Sequence, residues 1–314
     1  MENRASKTHL NNIKNSGVEY PERINQVAAD KEMGNHLIGF HVSIQGSIDL
    51  AVERASRLGC TTFQLFTTNP RGWKPRILSE TEVEKFTIKK STAGFKTVFS
   101  HMPYLPNLAS PKFDVYNKSV AALLGEVNRC ILLGIPFIVT HLGSHLGDGY
   151  KKGLIRVADA LNKAVSLSKG RVKILLENTA GSGNSMGSRF EQINQILDEV
   201  HDENIGVCFD TCHGWAAGYD IKTVKGVSET VESLDQTIGL EKVYLIHLND
   251  SIGELGSHID RHEHIGLGRI GVEGFKNFLK SALGKLPLIL ETPIDQRRSD
   301  LENLMTVRKI ISEL

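Results

Sequence analysis

The chain has 314 residues, is 40% hydrophobic and 23% charged, and carries a formal net charge of +1. That balance suits a globular chain with a full core. It excludes attraction of a polyanion by bulk charge, so any such partner must be held by local loops or by metal ions. No apolar run approaches the ~20 residues of a membrane helix.

The first 34 residues are polar and lack the apolar core of a signal peptide, and Glu2, Glu19 and Glu22 argue against an organellar transit peptide. They read as a poorly ordered extension before a single domain over 35–314. From there short apolar runs alternate with longer amphipathic stretches. The runs are LIGFHVS (37–43), TFQLF (62–66), KTVFSH (96–101), FIVTH (137–141), RVKILLE (171–177), IGVCFD (205–210), VYLIHL (243–248) and PLILE (287–291). Most are continuous rather than alternating, as strands covered on both faces are. Helical stripes recur between them, over 47–58, 114–133, 154–167, 190–200 and 275–283. Gly59 and Gly134 follow two of these as helix-ending residues.

Eight strands, each followed by a helix or long connection, predict a (β/α)8 TIM barrel of the α/β class. A doubly wound dinucleotide fold would need GxGxxG after the first strand, where VSIQGSI stands instead. GSGNSMG (181–187) lacks the GK[ST] of a phosphate-binding loop and reads as a flexible connection.

Four cysteines, Cys60, Cys130, Cys208 and Cys212, form neither a CxxC pair nor a disulfide framework, which points to a reducing, cytoplasmic setting. Cys208 reads as a small buried hydrophobe and Cys212 as packing beside a site.

The strand ends carry the chemistry. Strands three to eight end on or next to His101, His141, Glu177, Asp210, His247 and Glu291. In a barrel these ends converge on one face. Unpartnered buried carboxylates are costly, so imidazoles and carboxylates meeting without Lys or Arg imply cations between them. Each residue alone has an ordinary alternative: Glu177 could cap a turn, and Asp210 could N-cap the next helix. Six such coincidences at matched positions are harder to accept than one shared site. His213, three residues after Asp210, can reach over the same rim. In SHIDRHEHIGLG (257–268), Asp260 and His262 alternate and so share a face in extended chain, but spacing alone does not rank them above His258, Glu263 and His264. Nine donors exceed the needs of one catalytic ion and suit two or three if a carboxylate bridges. Nitrogen and oxygen ligation without thiolate suits Zn2+, with Mn2+ or Fe2+ as substitutes.

The motifs HVSIQGS, LFTTNPRGWK, SHMPYLPNLASP, HLGSHLG, LLENTAGSG, CFDTCHGWAAGYD, HLNDS, DRHEHIGLG and LILETP, in this order, resemble the endonuclease IV family of apurinic/apyrimidinic endonucleases over roughly residues 37–295. The resemblance implies a TIM barrel with three zinc ions. By matching position, His101, His141 and Glu177 would hold one ion. Glu177 would bridge to a second, shared with Asp210, His247 and Glu291. His213, Asp260 and His262 would hold the third. Glu177 would also orient the nucleophile. The substrate implied is double-stranded DNA containing an abasic site, cut 5′ to the lesion to leave a 3′-hydroxyl and a 5′-deoxyribose phosphate.

The loops after strands two and three offer Arg71, Tyr104 and Leu105 as groups that could wedge into a base stack. In the resembled family the residues matching Arg71 and Tyr104 enter the duplex. Trp73 reads as rim packing. Lys112, Lys151, Lys152, Arg189, Arg261 and Arg269 are candidate phosphate contacts. A monomer is expected. The alternative is a metal-dependent sugar isomerase or epimerase on the same barrel type, against which the additional donors His213, Asp260 and His262 speak.

Overall fold

The expected runs form strands where β-branched and aromatic residues concentrate. They are β1 (Ile38–Val42), β2 (Gln64–Leu65), β3 (Phe99–His101), β4 (Phe137–Thr140), β5 (Lys173–Glu177), β6 (Ile205–Asp210), β7 (Val243–His247) and β10 (Leu288–Leu290). In the computed structural model, which describes residues 36–314, these eight pair in parallel and close into a barrel in the order β1-β10-β7-β6-β5-β4-β3-β2. The extension expected over 1–34 lies outside the described residues. Between β7 and β10 a short antiparallel ribbon forms from β8 (Asp250–Ser251) and β9 (His262–Glu263).

Helices surround the barrel: α1 (Leu50–Leu58), α2 (Glu80–Thr92), α3 (Phe113–Leu133), α4 (Tyr150–Ser168), α5 (Phe190–Val200), α6 (Thr211–Ala217), α7 (Val224–Thr237), α8 (Gly271–Leu279) and α9 (Asp300–Ser312). Gly134 ends α3 as its spacing predicts. It sits left-handed at φ 61° and returns its N–H to the Cys130 and Ile131 carbonyls. The helix expected over 275–283 is displaced. It starts at Gly271 and stops at Leu279, and a 3-10 turn over Ala282–Lys285 follows. Helices α2, α7 and α9 have narrow buried faces, and α2 buries only Phe86 and Lys90. Capping boxes at Ser79/Glu82 and Ser299/Glu302 start α2 and α9.

Two apolar clusters hold the fold. The larger joins the outer faces of the strands to the helices. The smaller comprises Phe99, Phe137, Val139, Leu175, Cys208, Leu245 and Ile289, one or two residues from each of six neighbouring strands, and fills the barrel interior. Where β1 meets β2 the contact is too close for a side chain: a Cβ on Gly39 would lie 1.8 Å from the Thr62 carbonyl oxygen.

Candidate metal centre

Side chains two apart on a strand share a face. The interior residues Phe99, Val139, Leu175, Cys208, Leu245 and Ile289 therefore place His101, His141, Glu177, Asp210, His247 and Glu291 in the next layer up, at the C-terminal mouth. The same step from Gly39 and Thr62 places His41 and Gln64 there, paired in register across β1 and β2. Eight strands thus contribute eight polar side chains to one ring. Sequence reading found six. The signal for the other two was the same two-residue step from the strand interiors.

Glu177 stands at the centre of this ring and is buried. Its Oε2 faces His101 Nε2 at 3.1 Å and His141 Nε2 at 2.9 Å. Its Oε1 faces His247 Nδ1 at 3.1 Å and His213 Nδ1 at 3.3 Å, and Glu291 Oε2 lies 3.4 Å from the His247 nitrogen. The two oxygens of one carboxylate therefore address two different donor sets. Potential ligand atoms of His101, His141 and Glu177 lie within 4.8 Å of one another, as do those of Glu177, Asp210, His247 and Glu291.

The third set comes from the ribbon and the start of α6. His213 Nε2 lies 3.0 Å from Asp260 Oδ1, and His262 Nε2 lies 3.9 Å from the same oxygen. Asp210 also closes on this pair of imidazoles, and Cys212 lies beside Asp260 and His262. Burial pushes the Cys212 thiol up to about 12 and keeps it neutral. Cys208, inside the barrel, is likewise pushed up by burial to about 12. His258, Glu263 and His264, which spacing could not separate from Asp260 and His262, point elsewhere. His258 Nδ1 donates to the Ala180 carbonyl, Glu263 pairs with Arg297, and His264 pairs with Asp295.

The imidazoles are held in one sense. His101, His213 and His262 each place Nδ1 against a backbone carbonyl, of Met102 at 2.6 Å, Asn178 at 2.9 Å and Glu291 at 2.9 Å. A carbonyl accepts and cannot donate, so the proton sits on Nδ1 and the Nε2 lone pair turns toward the carboxylates. Lone pairs facing carboxylates repel unless a cation or a proton stands between them. His262 Nε2 is buried and has no hydrogen-bond partner among the described residues. Such an orphan fits a metal ligand, and outward N–H groups tied to carbonyls are the usual support of one.

Charge follows the geometry. Burial alone would raise the Glu177 carboxyl, but the facing His141 and His247 imidazoles hold it well below the usual range. Burial would lower His213, but Asp210, Asp260 and Glu177 raise it well above an ordinary imidazole.

Around this ring opens a cleft of about 1230 Å3 whose wall includes Arg71, Lys74 and Tyr104. Tyr104 is 67% exposed and Leu105 39% exposed, and Arg71 is exposed on the β2–α2 loop. Trp73, expected to pack at the rim, is 37% exposed. Arg129 of α3 clamps both ends of that loop: its guanidinium donates to the Thr67 hydroxyl and carbonyl and to the Arg76 carbonyl. Of the basic groups proposed for phosphate, Lys152 pairs with Asp148 and Arg269 with Glu254. No described helix is long and apolar enough to cross a membrane.

The family described as the xylose isomerase-like TIM barrel matches over residues 52–310. Fold and rim thus define a barrel of that class, with imidazoles and carboxylates gathered at its mouth. The chain is 51% identical to "Probable endonuclease 4" of Methanoculleus marisnigri, over 87% of this chain and 98% of the relative. It is 46% identical to the protein of the same name from Nitrosopumilus maritimus, over 87% and 99%. Endonuclease IV from Thermus thermophilus superposes with a TM-score of 0.78 at 38% identity, covering 88% of this chain and 99% of that one. The chain belongs to the endonuclease IV family. A D-tagatose 3-epimerase-like protein superposes with a TM-score of 0.66 at 19% identity, which shows the fold alone.

Proposed function

We propose that this chain is a DNA-repair endonuclease that hydrolyses the phosphodiester 5′ to an abasic site in duplex DNA. Water adds across the bond between phosphorus and the 3′-oxygen. The hydroxyl goes to phosphorus and the proton to the leaving oxygen, giving a 3′-hydroxyl and a 5′-deoxyribose phosphate.

Three Zn2+ ions are the cofactor this reading calls for. His101, His141 and Glu177 would hold one, Glu177, Asp210, His247 and Glu291 a second, and His213, Asp260 and His262 the third. Bound there, the ions would make water more acidic and neutralise charge on the phosphate and the leaving oxygen. The protein's own part is to fix the donors. Backbone carbonyls orient three imidazoles, and Glu177 links two donor sets through its two oxygens and orients the attacking water. Arg71, Tyr104 and Leu105 enter the base stack at the rim and hold the displaced nucleotide.

The division of the Glu177 oxygens between His101/His141 and His247 carries this reading, and the likeness to proteins named endonuclease IV supports the substrate class. The sugar epimerase reading is weaker, because the likeness to the epimerase-like protein extends to the fold alone. The test is nicking of an abasic duplex by folded His101→Ala and Glu177→Ala proteins. Both lose incision if the reading holds, and normal nicking by either refutes it.

A further inference from the structure

Gln64 stands in the ring of the barrel mouth but is neither charged nor a usual metal ligand, and its side chain is wholly buried. Its Nε2 lies 2.8 Å from Glu291 Oε1 and 2.9 Å from His41 Nδ1, and its Oε1 lies 2.9 Å from His247 Nε2. The carboxylate of Glu291 only accepts, so the amide must turn its NH2 toward it. The flipped amide would set two acceptor oxygens against each other in a buried site.

With that orientation fixed, two tautomers follow. Gln64 Oε1 accepts, so His247 carries a proton on Nε2 and turns Nδ1, bare when a cation is bound, to Glu177 Oε1 and Glu291 Oε2. His41 Nδ1 lies 3.3 Å from Glu291 Oε1 but closer, at 2.9 Å, to the amide nitrogen, whose second hydrogen it accepts, so the His41 proton sits on Nε2. That nitrogen is buried and has no hydrogen-bond partner among the described residues. His247 thus receives from a side-chain amide the orientation that His101, His213 and His262 receive from backbone carbonyls, with the sense of the ring reversed.

We propose that Gln64 is a positioning residue whose amide holds His247 with Nδ1 toward the carboxylates and His41 with its N–H on Nε2. The consequence for metal affinity and the bare Nδ1 of His247 rest on the metal-centre reading, whereas the amide orientation and the His41 tautomer do not.

Nitrogen-15 NMR of the histidine side chains of the full chain reads both. In the metal-free protein above neutral pH, His41 carries its proton on Nε2. In the zinc-loaded protein His247 keeps its proton on Nε2 while the Nδ1 resonance shifts. Gln64→Leu lowers zinc affinity ~10–100-fold in chelator competition and releases both tautomers, while the His101 and His213 protons stay on Nδ1. Gln64→Glu retains an acceptor for His247 and preserves its Nε2–H. A His41 proton on Nδ1 in the wild-type chain overturns the relay outright, even if Gln64→Leu fails to fold. A zinc-loaded chain with the His247 proton on Nδ1, or a Gln64→Leu protein with unchanged tautomers and zinc affinity, overturns it equally. A chain that binds no zinc but keeps the His41 proton on Nε2 removes the metal-centre reading and the affinity claim with it.

Discussion

Asp210 Oδ1 accepts the backbone N–H of His213 at 2.7 Å, which starts helix α6. Its other oxygen accepts from Asn249 Nδ2 at 2.7 Å and faces His262 Nε2 at 3.7 Å and His247 Nδ1 at 3.8 Å. One carboxylate therefore both caps a helix and faces the imidazoles of the candidate metal centre. The two roles separate by substitution. Asp210→Asn keeps an acceptor for the cap but removes the charge and turns a donor toward Asn249 Nδ2, so it should lose ~1–3 kcal/mol of stability while binding fewer zinc ions and losing incision. Asp210→Ala loses the cap as well, at ~1 kcal/mol. Thermal unfolding beside zinc content by mass spectrometry checks both, and a fully loaded Asp210→Asn protein would count against the ligand role.

Zinc uptake should release protons. Without a cation, Asp210, Asp260 and Glu177 favour the protonated form of His213 and raise it well above an ordinary imidazole, against the effect of burial. An ion must displace that proton, so zinc affinity rises with pH through the neutral range and falls as acid restores the imidazolium. Calorimetric titration in buffers of different ionisation enthalpy measures the count. The expected result is net proton release at neutral pH, and a heat independent of the buffer would contradict it.

Arg129 offers a test of the loop proposed to face DNA, apart from the proposed metal site. Its guanidinium ties Thr67 to Arg76 across the segment that carries Arg71. Arg129→Met should loosen that loop, raise KM for an abasic duplex by about tenfold, roughly 1.4 kcal/mol, and leave zinc content unchanged. Steady-state kinetics with metal analysis decides. A change in zinc content with KM unaltered would be the wrong pattern.

Asp250, itself a residue of the ribbon, ties the chain beyond it in place. Its buried carboxylate accepts backbone N–H groups from Ser251, Gly266, Gly268, Ile270 and Gly271, and so gathers the chain that follows His262. Asp250→Ala leaves those amides without their acceptor and should cost ~2–4 kcal/mol of stability. Denaturant unfolding measures it, and a loss under ~0.5 kcal/mol, the range of ordinary surface substitutions, would mean water replaces the carboxylate without penalty.

Much of this was legible because buried parallel strands leave a strong mark. Continuous apolar runs fixed eight strands, and a His, Asp or Glu at the end of six exposed the ring. His41 and Gln64 escaped for different reasons. His41 is followed by another strand residue, Val42, so it does not read as an ending. Gln64 opens a strand of only two residues and is a residue type with no metal chemistry of its own. Choosing Asp260 and His262 over His258, Glu263 and His264 needed either the family resemblance or the folded ribbon. Local spacing cannot reveal that Asp295 and Arg297, more than thirty residues downstream, engage His264 and Glu263, or that the Ala180 carbonyl engages His258. Helix α7 was passed over because its buried face is narrow, limited to Gly226, Val227, Thr230 and Leu234.

The most direct measurement is incision of a duplex bearing a single abasic site by chelator-stripped protein, before and after zinc is restored. Stripping should abolish a cut on the 5′ side of the lesion and zinc should bring it back, with a 3′-hydroxyl on the upstream fragment. Undiminished cutting without metal, or no cutting by protein shown to carry its full zinc complement, would contradict the proposed reaction.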